Sequence, residues 1–484
     1  MVNEKVTIEK FNEAYIRIKC EASCAKELSE FFTFEVPNAK FMPSFRRKIW
    51  DGKIHLFSPA TGKIYAGLLP YVQKYLQEQG YTVRVEEVFR PKVIDKKLTR
   101  RFVNNISKFR ARDYQVDAIH SIIERDRGVI LSPTGSGKSF VIYALLRYYL
   151  QKLNKKILLV VPTTSLVEQM YSDFAEYGWF PDDHCHRLYA GRDKNTEKDV
   201  VISTWQSIYK MPKTYFSQFG TVFVDEAHLA KAKSLTGIMT KLHNCKYRIG
   251  LTGTLDGKEI HRLVLEGLFG LCDQVTTTAE LVKRKYLANL EVKCLVLEHS
   301  KNNRNKRTYQ EEMDYLASSE PRNNFIINLI DTLEGNTLVL AQYIEKHLIP
   351  LYELAEEKFE RDIFLVYGGT PTSDREDVRQ YAENSKKDIV IFASYGTFST
   401  GINIKRLHNI VFGSPYKSQI RVLQSIGRGL RTAKDKEMLN IFDISDNLMY
   451  NSQENYTLSH LKERIKIYNE QEFNYEIVPI KLKR

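Results

Sequence analysis

Gly128-Val129-Ile130-Leu131 runs directly into Ser132-Pro133-Thr134-Gly135-Ser136-Gly137-Lys138-Ser139, and an apolar stretch from Phe140 to Leu150 follows. The first four residues read as a buried strand and the last stretch as a helix. A glycine-rich turn between a buried strand and a helix N-terminus is the context a phosphate-binding loop requires. Gly135 and Gly137 let backbone N–H groups turn toward phosphate oxygens, with Pro133, Thr134 and Ser136 completing the cradle, and the helix start adds positive potential. Lys138 would reach the β and γ phosphates, and the Ser139 hydroxyl would ligate Mg²⁺. Ser132 stands where the consensus has its first glycine, a mild departure, because the later glycines form the tightest part of the turn. The bland alternative is a glycine turn with a chance lysine. The flanking strand and helix argue against it.

Outward from this loop the rhythm is regular. Short apolar runs at Ile157–Val161, Val200–Ser203, Thr221–Val224 and Tyr247–Leu251 are separated by helical or loop stretches. After about residue 280 the pattern restarts with Asn336–Ala341, Ile363–Val366, Asp388–Ala393, Asn409–Phe412 and Leu439–Phe442. Continuous β-branched runs alternating with helices indicate parallel sheets covered on both faces. Two successive α/β sheets of similar size follow. Asp225-Glu226-Ala227-His228 directly follows Thr221–Val224, which puts two carboxylates at the end of a buried strand. Ligands of such sheets bind beyond the carboxyl ends of the strands. Asp225 would hold Mg²⁺, directly or through water, while Glu226 orients and deprotonates an attacking water.

Gln424, Gly427, Arg428 and Arg431 are spaced i, i+3, i+4, i+7, so they fall on one face if the segment is helical. Two guanidinium groups on that stripe can meet a γ-phosphate across a cleft, as an arginine finger does. A solvated basic face is the alternative. Gly427 and Gly429 weigh against it, since each costs an exposed helix about 1 kcal/mol relative to alanine and so suggests a close approach to the backbone.

Residues 1–100 read as a small α+β unit. Val6–Phe11, Ala14–Lys19, Lys53–Phe57 and Thr82–Glu87 alternate as strands do, and helical patterns fit Cys24–Phe32 and Leu69–Gln79. Residues 88–105, basic and containing Pro91, read as a linker. Within the unit, Lys40, Arg46, Arg47, Lys48 and Lys53 interleave with Phe41, Phe45 and Trp50. Cations of this kind take phosphates while an aromatic stacks on or wedges between bases. Equally, the rings can fill the core of the small unit while the cations stay outside. The polar stretch from His299 to Asn324 reads as a solvated helix face or a nucleic-acid contact, the former preferred.

The chain of 484 residues carries a formal net charge of +13, which favours polyanionic partners. Six cysteines give no second close pair to complete a zinc set, and His184-Cys185-His186 reads as an exposed loop triplet, so reduced, non-ligating thiols are expected. The start is charged without a signal-peptide core, and no apolar run approaches the roughly 20 residues that span a bilayer, so no membrane association is expected.

Taken in order, these elements resemble helicase superfamily 2 across most of residues 109 to 431. Tyr114 and Gln115 look like an adenine-reading element. Pro162–Leu166, with Thr164, and Ser203–Ser207, with Thr204 and Gln206, resemble motifs that contact a nucleic-acid strand. Leu251–Leu255, with Thr252 and Thr254, resembles the motif that together with His228 couples hydrolysis to movement. Ala393–Thr397 and Ser399–Asn403 resemble the second lobe's counterpart, Thr397 and Ser399 toward the strand and Gly401 and Asn403 toward the nucleotide, though Asn403 stands where relatives carry aspartate.

The finer pattern is similar to the UvsW-type recombination helicases of T4-like phages. It rests on Phe45–Lys53, Trp205-Gln206, Tyr395-Gly396, Phe398–Gly401 and Phe473-Asn474-Tyr475. The resemblance implies two tandem RecA-like parallel-sheet lobes, at 101–280 and 281–450, between a DNA-binding unit at 1–100 and a helical or extended tail at 451–484. It also implies ATP and Mg²⁺ as cofactors and 3′-to-5′ action on single-stranded, forked and four-way DNA, with annealing, branch migration, fork regression and unwinding of RNA–DNA hybrids. A cytoplasmic monomer is expected, in the host cytoplasm if phage-encoded. An RNA helicase, a double-strand translocase without strand separation and a binding module with a degenerate nucleotide site stay open at this point.

Overall fold

The computed structural model describes residues 5–36, 39–86, 92–189, 191–231, 233–255, 259–397, 404–414, 419–431 and 436–482. They divide into two bodies, Met1–Ser132 with Gly137–Val275, and Pro133–Ser136 with Thr276–Arg484.

In the N-terminal part of the first body, β1 (Lys5–Lys10), β2 (Tyr15–Lys19), β5 (Lys63–Tyr65) and β6 (Thr82–Val85) form a mixed sheet in the order β5-β2-β1-β6. A separate pair joins β3 (Thr33–Glu35) to β4 (Lys53–His55). Alternation sends Val6, Ile8, Ile16 and Ile18 to one face, where they bury against Leu28, Val72 and Leu76 of the helices Ala22–Phe31 and Leu69–Glu78. The same core takes in Ile260 and Leu263 of the helix Glu259–Phe269, so the small unit is seated on the larger fold rather than hung from it. Tyr71 donates a hydrogen bond to the fully buried Glu266 carboxylate at 2.5 Å. Gly67 permits that seat, because a Cβ there would lie 1.9 Å from the Glu266 carbonyl oxygen. The expected linker at 88–105 is helical over Lys96–Asn105 instead. Asp95 caps it by accepting from the Lys97 N–H, Val103 enters the core and Arg100 pairs with Asp113 at 2.8 Å. Its basic residues therefore occupy the outer face of an amphipathic helix.

The rest of the first body is one all-parallel sheet. Its strands are β7 (Arg127–Leu131), β8 (Lys156–Val161), β9 (Cys185–Leu188), β10 (Val200–Thr204), β11 (Phe219–Val224), β12 (Tyr247–Thr252) and β13 (Cys272–Gln274), in the order β13-β7-β12-β11-β8-β10-β9. Successive residues of β8 alternate between two cores, Ile157, Leu159 and Val161 on one face and Leu158 and Val160 on the other. That is why the run is continuously apolar: both faces are covered by helices.

The second body is built alike. Its strands are β14 (Asn289–Glu298), β15 (Thr337–Ala341), β16 (Ile363–Val366), β17 (Val390–Ser394), β18 (Asn409–Phe412), β19 (Met438–Asn447) and β20 (Asn474–Lys481), all parallel, in the order β16-β17-β15-β18-β19-β14-β20. Residues 451–484 supply the helix Tyr456–Glu470 and the edge strand β20. These are the two tandem RecA-like lobes and the small α+β unit.

Two buried charge networks brace the second sheet at β19. Arg464 donates to both Asp443 carboxylate oxygens, at 2.8 and 2.7 Å, and to Ser445. Arg322 and His299 both meet Asp446, at 2.9 Å each. Arg464→Met is expected to destabilise the protein by about 3–5 kcal/mol, because it leaves Asp443 charged, buried and short of its partner. The double variant Arg464→Met with Asp443→Leu should be the more stable of the two in denaturant titration. The reverse order would show that the pair itself, not the orphaned charge, sets the cost.

Candidate nucleotide and nucleic-acid site

The phosphate-loop segment follows β7 and opens the helix Lys138–Lys152. Gly135 and Gly137 both take left-handed backbone, at φ +83° and +82°, which a side chain would strain. A Cβ at Gly137 would also lie 2.5 Å from Gln115 Nε2, so the adenine-reading candidate packs against the loop. Gln115 is buried and held by the Arg112 N–H, which donates to its Oε1 at 3.0 Å; Arg112 Nη1 donates to the Tyr114 hydroxyl at 2.9 Å. Lys138 Nζ donates to the Ser132 carbonyl at 3.1 Å, and the Ser132 N–H donates to Thr252 O at the end of β12.

Asp225 and Glu226 follow β11, which lies between β12 and β8. The Asp225 N–H donates to Val160 O at 2.9 Å, fixing the turn to the neighbouring strand. Its carboxylate is buried, and Oδ1 has no hydrogen-bond partner among the described residues. Burial, then the adjacent Glu226, hold the Asp225 carboxyl well above the usual carboxylate range, with the Lys138 ammonium opposing them. A buried carboxylate oxygen without a donor is costly unless a cation faces it. With Ser139 on the neighbouring helix N-terminus, this donor set suits a hard, oxygen-liganded divalent ion such as Mg²⁺.

Glu226 has φ +51°, a strained setting for a non-glycine residue and one that recurs at functional sites. His228 Nδ1 lies 3.2 Å from Glu226 Oε2 and 2.9 Å from Thr252 Oγ1, and Thr252 Oγ1 donates to Thr254 O at 3.0 Å. With the threonine proton directed to Thr254, the hydrogen at the His228–Thr252 contact sits on Nδ1. Glu226, His228, Thr252 and Thr254 thus form one polar chain from the end of β11 to the end of β12.

Thr164 starts the helix Thr164–Glu176 after β8 and is exposed, while Thr163 caps that helix. Gln206 is exposed in the short helix Trp205–Ile208 after β10. Strands β8 and β10 are paired up to Val161↔Thr204, so Thr164 and Gln206 stand at the same sheet edge as Asp225. Thr204 itself is buried and bonded to Ser207 Oγ at 2.9 Å, leaving Gln206 as the outward group of its motif.

In the second body, Thr397 is buried with its hydroxyl 2.8 Å from Ser394 Oγ, a local turn rather than an outward strand contact. Ser399, Gly401 and Asn403 lie outside the described residues, as does the side chain of Gln424. The helix Gln419–Gly429 carries Arg428 in its last turn, but Arg431 lies past its end, so the expected four-residue stripe is broken. The buried Lys436 donates to Arg431 O at 3.0 Å and also to Gly429 O, which anchors the turn bearing Arg431. Gly429 is explained by packing: a Cβ there would lie 2.8 Å from both Ile410 and Leu439 of the sheet.

The ATP-dependent DNA helicase uvsW of Enterobacteria phage T4 is 32% identical over 501 residues, spanning 97% of this chain and 98% of that protein. This chain belongs to the UvsW-type DNA helicases. Residues 4–86 match the N-terminal family of the DNA helicase UvsW, 108–257 the res subunit of type III restriction enzymes, and 321–433 the conserved C-terminal helicase domain. The crystal structure of T4 UvsW superposes with a TM-score of 0.52 at 29% identity, covering 99% of this chain and all of that one. The DNA 3′-5′ translocase XPB2 of Sulfurisphaera tokodaii is 26% identical, over 69% of this chain and 81% of that protein. The chain is accordingly an ATP-dependent DNA helicase and a nucleic-acid-dependent ATPase. Among the described residues no helix is long and apolar enough to cross a membrane.

The UvsW-type N-terminal unit separates the two readings of its basic-aromatic segment. Phe41 and Phe45 are 60% and 38% exposed, so they do not fill the core. Arg46, Arg47, Lys48 and Lys53 are exposed around the short helix Pro43–Arg46. Trp50 is half-buried and donates its indole N–H to Lys53 O at 2.7 Å, which ties down the turn at Gly52. Met42 and Ile49, missed in the sequence because they lack charge or an aromatic ring, are exposed beside them. The His184-Cys185-His186 run is not an exposed loop. Cys185 begins β9 and is buried, His184 stacks on Trp179 and His186 bonds to Asp193 O.

Proposed function

We propose that this helicase separates and re-pairs strands at branched DNA, moving 3′ to 5′, with ATP held at the phosphate loop and Mg²⁺ held by Ser139 and Asp225. Mg²⁺ supplies positive charge to the β and γ phosphates. Lys138 orients and stabilises the same phosphates, Glu226 takes the proton of the attacking water, and Gln115 with Tyr114 orients the base. Arg428 and Arg431 stabilise the charge that develops on the transferred phosphoryl group. The Glu226–His228–Thr252–Thr254 chain carries the state of the cleaved bond from the end of β11 to the segment after β12, while Thr164 and Gln206 take the strand at the same end of the sheet. The observation that supports this most is the buried Asp225 carboxylate, with one oxygen unpartnered among the described residues and the Lys138 charge acting on it. Phosphate contacts carry no base code, so recognition is by structure. ATP turnover with single-stranded, duplex, forked and four-way DNA, and with RNA, tests the reading, alongside strand displacement. Greatest stimulation by branched DNA with strand displacement is expected. Stronger stimulation by RNA would replace the reading with an RNA helicase, and turnover without displacement with a double-strand translocase.

Replacing Arg46, Arg47 and Lys48 together by alanine should weaken junction binding more than single-strand binding. Three lost phosphate contacts lower the slope of log affinity against log salt by about 2–3. Equal losses on both substrates would count against branch recognition by this unit.

A further inference from the structure

The Ser139 hydroxyl lies 2.7 Å from the hydroxyl of Tyr177, a residue that belongs to none of the motifs above. Tyr177 caps the helix Thr164–Glu176, and its N–H donates to Asp173 O at 3.0 Å. Its carbonyl accepts from the Lys108 N–H at 3.3 Å. The ring is caged by Phe140 at 5.3 Å, Tyr143 at 5.2 Å and Phe109 at 6.0 Å between centroids. Backbone and ring are both fixed, so the phenol oxygen is delivered to Ser139 at a set position.

We infer that Tyr177 is a positioning residue for the Mg²⁺-ligating hydroxyl of Ser139, which rests on the nucleotide-site reading above. A serine hydroxyl has one proton and two lone pairs. When a lone pair faces a cation, the proton must point away and needs an acceptor, because polarisation by the cation makes it a stronger donor. The phenol oxygen of Tyr177 is that acceptor, and accepting the proton turns the serine lone pairs toward the metal. The helix that brings Tyr177 there starts at Thr164. About 20 Å of rigid helix therefore joins a candidate strand contact to the positioner of the metal ligand.

Affinity for a fluorescent ADP analogue, measured on the full chain with Mg²⁺ and with EDTA, separates the possibilities without reference to turnover. Ser139→Ala should abolish most of the tightening that Mg²⁺ gives. Tyr177→Phe keeps the ring and removes the hydroxyl. It should cut that tightening about ten-fold, while the affinity in EDTA stays within about two-fold of the unmodified chain. Tyr143→Phe is the control, since its hydroxyl bonds to Ile106 O and Arg147 rather than to Ser139, and it should leave the Mg²⁺ effect unchanged. Equal weakening in Mg²⁺ and EDTA for Tyr177→Phe would reduce Tyr177 to a packing residue and overturn the inference. So would an unchanged Mg²⁺ effect in Tyr177→Phe beside a lost one in Ser139→Ala. If Ser139→Ala also keeps the Mg²⁺ effect, the assignment of Ser139 as ligand fails first.

Discussion

Lys138→Ala should leave the chain folded and able to bind DNA, yet reduce DNA-stimulated ATP turnover by about 10³-fold or more. The size follows from where the ammonium stands. It is at the N-terminus of the helix Lys138–Lys152, with its charge acting on the buried Asp225 carboxylate. A preorganised cation in a desolvated site stabilises transition-state charge far more than it would in water, and removing one such group costs several kcal/mol of barrier. The fold has much less at stake. The Lys138 ammonium donates to Ser132 O from the first position of its helix, and alanine suits a helix start. Removing the ammonium also takes away the largest influence opposing burial and Glu226, so the Asp225 carboxyl should rise further and bind Mg²⁺ more weakly. Circular dichroism, a DNA-binding titration and phosphate release measured on one preparation check all three parts. Near-normal phosphate release from a folded, DNA-bound variant would remove Lys138 from the nucleotide site.

The parallel sheets were legible because strands buried on both faces must be apolar throughout, as Ile157–Val161 and Thr221–Val224 are. The candidate nucleotide residues stood out because phosphate contact would impose local constraints on glycine, lysine and serine within a few positions. What escaped was non-local. Tyr177 meets Ser139 across 38 positions, and nothing in either neighbourhood predicts the other. The seat of the N-terminal unit on Glu266 depends on Gly67 and Tyr71, residues whose local patterns are ordinary. Helical spacing misled at Arg431, since the period was right but the helix ends at Gly429, where sheet side chains crowd the backbone. Exposure of Phe41 and Phe45 was undecidable from composition, because an aromatic beside cations serves a small core as well as a base. Phe41 ends the 3₁₀ turn Ala39–Phe41 and Phe45 sits in the short helix that begins at Pro43; neither ring joins the core of the strands, and both stay in solvent.

Arg428→Ala should keep DNA and nucleotide binding while ATP hydrolysis falls by about 10³-fold, the lower range for loss of an arginine finger. A guanidinium that meets the γ-phosphate mainly as bond cleavage develops charge contributes to turnover more than to affinity. Arg428 and Arg431 are held differently, which makes their roles separable. Arg428 takes its direction from the last turn of Gln419–Gly429, whereas Arg431 sits on a turn anchored by the buried Lys436. If both guanidinium groups act on the phosphate, Lys436→Met should reproduce the turnover defect of Arg431→Ala by releasing that turn, with Arg428 untouched. If only Arg428 acts, Lys436→Met should lower stability and leave turnover per folded molecule near normal. Single-turnover hydrolysis with DNA saturating reads the difference. Unimpaired hydrolysis in both Arg428→Ala and Arg431→Ala would mean that neither guanidinium supplies charge to the nucleotide, and the first lobe's lysine and carboxylates would then have to carry the chemistry alone.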